Sequence, residues 1–105
     1  MTPNEFEGLA DAMLERIVRA VEESRAECDC ESKSSGVLEL EFENGSRVLI
    51  NRHSAAQEIW VAAKSGGYHF RPVGSAWMDT RDQRELLAVL SELISEQSGG
   101  AVVLR

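Results

Sequence analysis

The chain has 105 residues, 43% of them hydrophobic, with only eight glycines and two prolines, which is the size and composition of one compact domain over residues 1–105. Its formal charge of −7 argues against nucleic acid or anionic lipid as a partner, since a field of that sign repels both, and favours cations and basic protein surfaces. The opening MTPNEFEGLADAML lacks the basic start and continuous apolar run of a secretory leader, and no window reaches membrane-spanning length, so a soluble, cytoplasmic protein is expected.

Position matters more than total charge. Residues 1 to 31 hold Glu5, Glu7, Asp11, Glu15, Glu22, Glu23, Glu27, Asp29 and Glu31 against Arg16, Arg19 and Arg25; nine acids less three bases gives −6 and leaves −1 for the remaining 74 residues. Such asymmetry marks a localised acidic surface.

Phe6, Leu9, Ala10, Met13, Leu14, Ile17, Val18 and Val21 recur at three- and four-residue steps, predicting an amphipathic helix over residues 4 to 23 with one buried stripe. At about 100° per residue, Glu7, Asp11, Glu15 and Glu22 fall within an arc of roughly 80° beside that stripe, forming an acidic ridge. Glu27, Cys28, Asp29, Cys30 and Glu31 then alternate, so a strand here turns its acids one way and its cysteines the other. That strand extends the ridge if it runs beside the helix. Two cysteines this close are too few for a disulfide framework and read as reduced, core-facing thiols.

Val37 to Phe42 alternates Leu38, Leu40 and Phe42 with Glu39 and Glu41 and runs into Asn44-Gly45, a hairpin signal. A two-residue turn would place Val48 and Ile50 opposite the acids and mix the faces. A three-residue loop with Gly45 in the left-handed position instead sets Leu40 opposite Val48, Leu38 opposite Ile50 and Glu41 opposite Arg47, leaving Leu49 and Asn51 on the outer face. Ile59 and Val61 predict a strand that turns Trp60 outward, and Gly66-Gly67 the next turn. Residues 68 to 72 and 76 to 80 read as two more short strands, with Trp77 a core or cross-strand anchor.

Leu86, Leu87, Val89, Leu90, Leu93 and Ile94 mark a second amphipathic helix, opened by Asp82 with Glu85 three residues on and stopped by Gly99-Gly100. Residues 101 to 104 form a short strand or an extended tail. The expected fold is α+β, a two-layer α/β sandwich with the N- and C-terminal helices on one face of an antiparallel sheet of about six strands.

The sequence contains no nucleophile with a base, metal cage or phosphate cradle. His53 and His69 lack metal-ligand spacing with each other or with the cysteines, and two thiolates alone cannot fill a tetrahedral site. The ridge is the chief functional candidate, because clustered carboxylates are hard oxygen donors that concentrate cations; without convergence, such binding is weak and unselective. The plainer reading is that its acids only solvate a helix. A second candidate is the outer sheet face, where Leu49, Asn51 and Trp60 lie uncovered and suit protein docking, unless Trp60 turns inward.

The stretch Phe42-Glu-Asn-Gly-Ser-Arg-Val-Leu-Ile-Asn51, followed by Ile59-Trp-Val-Ala-Ala-Lys-Ser-Gly-Gly-Tyr-His-Phe70, resembles the core of the frataxin family in its bacterial CyaY branch, and Glu5-Phe6 with Leu9-Ala10-Asp11 resembles the start of its first helix. The resemblance implies two helices on an antiparallel sheet, an acidic ridge along the first helix and first strand, and a tryptophan on the outer sheet surface. It also implies weak binding of ferrous and ferric iron, without redox chemistry by the protein, at Asp11, Glu15, Glu22, Glu23, Glu27, Asp29 and Glu31. By the same resemblance the partners are cysteine desulfurase, met by the ridge, and the iron–sulfur scaffold complex, met by Asn51 and Trp60, beside which the outer-face reading places Leu49. The expected function is a non-enzymatic regulator that slows cluster assembly, with a further role as iron donor to it, monomeric or forming iron-driven oligomers. A ferroxidase or iron store is the alternative, and it needs convergent carboxylate and His ligands, of which no Glu-x-x-His motif is present. Where the family often has Gln two residues after the Asn and Pro soon after, this chain has His53 and Ala55.

Overall fold

The computed structural model describes residues 1–105. Helix α1 (Pro3–Ser24) is followed by strands β1 (Cys28–Ser34), β2 (Val37–Phe42), β3 (Arg47–His53), β4 (Glu58–Ala63), β5 (Gly66–Val73) and β6 (Ala76–Asp79), then helix α2 (Leu86–Ser98). The strands form one antiparallel sheet in the order β1-β2-β3-β4-β5-β6, with both helices against its inner face.

Local chemistry starts α1 one residue earlier than periodicity alone predicts. Thr2 accepts the Glu5 N–H at 3.1 Å while the Glu5 carboxylate accepts the Thr2 N–H at 2.9 Å, a reciprocal capping box with Pro3 in the first turn. Phe6, Ala10, Ile17 and Val21 carry the buried stripe, but Leu9 is 49% exposed. At about 100° per residue Leu9 lies roughly 80° from the centre of that stripe, at its rim, and the smaller Ala20 is buried instead. Phe6 meets Trp77 edge to face at 6.0 Å, joining the start of α1 to β6.

The β2–β3 register has Leu38 opposite Ile50, Leu40 opposite Val48 and Glu41 opposite Arg47, as the three-residue loop requires. Gly45 adopts φ +85°, the left-handed conformation that a side chain opposes. Leu38, Leu40, Val48, Ile50, Ile59, Val61 and Phe70 face the helices and are almost fully buried, so Trp60 is turned to the outer face.

Helix α2 begins later than Asp82 suggests. Gln83 holds φ +53° and the Asp79 carboxylate accepts the Arg81 N–H, so residues 80 to 82 form a turn. Glu85 itself is the N-cap, accepting the Leu87 N–H at 2.7 Å. Beyond Gly99 the chain is an extended tail, pinned to α2 by Ser91 and Ser95 hydroxyls that accept the Leu104 and Val102 N–H groups. Gln97, 8% exposed, ties the end of α2 to two loops: its Nε2 donates to Ser46 Oγ and Arg47 O, and its Oε1 accepts the Lys64 N–H. No helix is long and apolar enough to cross a membrane.

Candidate functional site

The acidic ridge forms where α1 lies along the edge strand β1. A groove of about 420 Å³ between them is lined by Asp11, Leu14, Glu15 and Val18 from the helix and by Ser32 and residues 34–38. Glu15, Glu22, Glu23, Glu27, Asp29 and Glu31 are all exposed. Cys28 and Cys30 take the opposite side of β1, half-buried against the core, and both are free thiols. Burial pushes both thiols up, and negative neighbours add to it: Cys30 and Asp29 for Cys28, Glu22 for Cys30. Glu22 acts on Cys30, so the end of α1 approaches β1 from its core side, while Asp29 and Glu31 stand on the other side of the strand.

The seven carboxylates expected to bind metal do not share one environment. Asp11 is ion-paired with Arg52 of β3, whose guanidinium is packed over Gly36, and Glu31 pairs with Lys33 at 3.5 Å. Glu15, Glu22, Glu23, Glu27 and Asp29 pair with no cation. An acid already paired with a cation offers less to another, so these five give the ridge most of its field.

Pairing of β1 with β2 adds acids that the linear reading leaves outside the ridge. Asp29 lies opposite Glu41 and Glu31 opposite Glu39, and an open cleft is lined by Glu27, Asp29, Glu41 and Glu43. Like charges directly opposite are destabilising. Lys33 and Arg47 offset Glu39 and Glu41, at 3.5–3.9 Å, but leave Glu27, Asp29 and Glu43 unpaired. The alternation of Glu39 and Glu41 was the available signal; a hairpin pairing between β1 and β2 was needed to read it. No three His, Cys, Asp or Glu side chains converge to hold a metal ion. The donor set is hard carboxylate oxygen, spread along a helix and a strand pair with no closed cage.

The second candidate is the outer face of β3, β4 and β5. Leu49 is 39% exposed and lies opposite Ala62, and Asn51 lies opposite Trp60, which lies opposite His69. The Trp60 ring is stacked between His53, at 3.7 Å and 12°, and His69, at 4.4 Å and 8°. These spacings approach the separation of adjacent strands, so the three rings stand side by side on the sheet.

Beneath them sits Glu58, a charged residue only 5% exposed. Its Oε1 accepts the Trp60 indole N–H at 2.7 Å and its Oε2 accepts Arg71 Nε–H at 2.8 Å. Burial by itself would raise the Glu58 carboxyl. The hydrogen bonds from Trp60 and Arg71, with the charges of Arg71 and His69, outweigh it and hold the group below the usual carboxylate range. Glu58 and His53 are therefore part of how this face is built, although neither stands out in the linear sequence.

Residues 1–100 match the family model of the frataxin-like domain. The chain is 51% identical to the iron-sulfur cluster assembly protein CyaY of Dechloromonas aromatica over the full length of both. It is 48% identical to the CyaY of Herminiimonas arsenicoxydans, over 100% of this chain and 97% of that one. Among solved structures, frataxin from Psychromonas ingrahamii superposes with a TM-score of 0.91 at 35% identity, covering 98% of this chain and 97% of that one. Trimeric yeast frataxin complexed with ferrous iron superposes with a TM-score of 0.73 at 30% identity, covering 87% and 86%.

Proposed function

The chain belongs to the frataxin family, and on that premise we propose that it is an iron-binding regulator of iron–sulfur cluster assembly that docks on cysteine desulfurase and slows cluster formation. The observation that carries this reading is the set of five exposed, unpaired carboxylates, Glu15, Glu22, Glu23, Glu27 and Asp29, along one edge of the molecule. Their summed field concentrates ferrous and ferric ions and attracts a basic patch on the desulfurase. Capture is electrostatic, and the protein performs no redox step. Glu31 and Asp11 extend the ridge toward the end of β1 near Ser34–Gly36, at reduced potential because Lys33 and Arg52 partly cancel them.

The relatives named as cluster assembly proteins and the ferrous complex of the yeast frataxin support this role. Leu49, Asn51 and Trp60 contact the scaffold complex, where a partly exposed indole on the sheet face is the kind of side chain that anchors an interface. A ferroxidase or iron store would need donors that converge, whereas here they are spread along a helix and a strand.

The test is the quadruple variant Glu22→Gln, Glu27→Gln, Asp29→Asn, Glu31→Gln. Wild type should bind purified desulfurase and slow cluster formation on the scaffold, and the variant should do neither while keeping the wild-type circular dichroism. Unchanged desulfurase affinity in a folded variant would leave the ridge a solubility device and refute the proposal.

A further inference from the structure

An open sheet has two edges, and this chain closes only one of them. The rim of the short strand β6 is covered by the segment that follows it: Met78 bridges to Glu85, and the Asp79 N–H donates to the Arg84 carbonyl at 2.8 Å. The longer β1 pairs with β2 alone. Beyond Cys28, whose N–H donates to the Ala26 carbonyl at 2.9 Å, nothing hydrogen-bonds along its far side.

Strand parity identifies the groups left free. Phe42 N–H donates to Ser46 O and Arg52 N–H to Gly36 O, so Gly36, Leu38, Leu40 and Phe42 turn their main chain toward β3. Glu39 and Glu41 therefore turn theirs toward β1, to Glu31 and Asp29. Cys30 and Ser32, between and beyond those pairs, direct N–H and C=O off the sheet. A row of that kind is a template for one more strand, and the bulge between Ser32 and Ser34 ends it.

The side chains of an added strand would alternate as well. Those opposite Cys30 and Ser32 would point to the core side, where the groove between α1 and β1 offers Leu14, Val18, Val37 and Leu38. Those opposite Asp29 and Glu31 would point outward. On that side Glu27, Asp29, Glu31, Glu39, Glu41 and Glu43 stand against Lys33 and Arg47; six acids less two bases gives −4. The helix does not reverse the sign: it adds Glu15 and Glu22 against Arg19 and the cap residue Arg25, while Asp11 and Arg52 cancel each other. Asp29 opposite Glu41 and Glu31 opposite Glu39 already oppose like charges. A second copy of β1 would bring its own Asp29 and Glu31 against them, so the charges that guard this edge against self-pairing favour a basic strand.

We propose that β1 is an acceptor edge for strand addition, and that its occupant is an extended segment of a protein partner in which lysine or arginine alternates with apolar residues. Main-chain bonds to Cys30 and Ser32 hold the segment, its apolar side chains enter the groove, and its basic ones neutralise the outer acids. The ridge's attraction for a basic patch needs carboxylates only, so that reading stands or falls separately.

The experiment titrates the isotopically labelled full chain with a capped peptide, Val-Lys-Val-Lys-Val-Lys-Val, and follows amide hydrogen exchange. The Cys30 and Ser32 amides should become protected by about tenfold or more, while those of Asp29 and Glu31, already bonded to β2, change little. Ser32→Pro removes one outward N–H without touching the β1–β2 ladder, and should weaken binding about tenfold, with Ser32→Ala unchanged. A peptide N-methylated at alternate residues on its pairing edge keeps the charge and should bind wild type as weakly. Equal affinity for both peptides, or binding that leaves the Cys30 and Ser32 amides exchanging freely, would show attraction by charge alone and overturn the proposal. So would an absence of binding, or protection of those amides by self-association of the peptide-free chain.

Discussion

Glu58→Gln isolates the buried carboxylate that holds the outer face together. Glutamine keeps the shape but offers one acceptor oxygen to the two donors, Trp60 Nε1–H and Arg71 Nε–H, and none of the charge. Losing one charge-assisted hydrogen bond costs about 1.5–3 kcal/mol, and the exposed Arg71 recovers part of it from water, so we expect about 1.5 kcal/mol. For a chain of this size that lowers Tm by roughly 6–12 °C. The pH dependence has a definite sign. The folded-state carboxyl lies below its unfolded value, so its stabilisation is fully present above the unfolded value near pH 4.5 and is lost as pH falls through the folded value. Urea titrations of His69→Gln and of His69→Gln/Glu58→Gln compare the two side chains with the imidazole removed from both. Their stability gap should be constant between pH 6 and 8 and should close below about pH 4. A gap under about 0.5 kcal/mol at pH 7, or one undiminished at pH 3, would refute the buried, bonded carboxylate.

Gln97→Ala should cost about 2–3 kcal/mol in thermal or chemical denaturation, because the Arg47 carbonyl and the Lys64 N–H both lose their link to α2; a loss below about 0.5 kcal/mol would mean water replaces that link. Gly45→Ala should lose about 1–2 kcal/mol for the side chain at φ +85°, with Gly45→Asn losing less, and an alanine variant as stable as wild type would contradict the left-handed loop. Asp11→Asn should lower stability by no more than about 1 kcal/mol and leave iron affinity nearly unchanged, since Arg52 already neutralises this carboxylate, whereas Asp29→Asn should weaken iron binding measurably by calorimetry. Equal losses of iron affinity from the two would contradict the division of the ridge into paired and unpaired acids.

Elements with a strong local period were legible in the sequence. The β2–β3 register followed from one glycine and the need to keep Leu38, Leu40, Val48 and Ile50 on one face, and the outward turn of Trp60 followed from Ile59 and Val61. Boundaries and rims were less so: Asp82 looks like a helix cap, but the turn made by Asp79 and Gln83 postpones α2 to Leu86, and Leu9 fits the apolar spacing yet sits at the edge of the stripe. What stayed hidden depends on partners distant along the chain. Glu58 occupies an outer-face position that alternation assigns to solvent, yet it is buried, its carboxylate in contact with Trp60, His69 and Arg71, the last thirteen residues on. Likewise Glu41 and Glu43 join the acids of β1 through strand pairing, which composition and spacing within either segment do not reveal.

The most direct test of the iron-and-desulfurase ridge is an NMR titration of the isotopically labelled, metal-free protein with ferrous iron under anaerobic conditions, repeated with unlabelled desulfurase. Broadening from iron and shifts from the enzyme should both centre on Glu15, Glu22, Glu23, Glu27 and Asp29, with Asp11 and the Trp60 face little affected. Perturbations from both ligands that fall elsewhere and spare those five residues would contradict it.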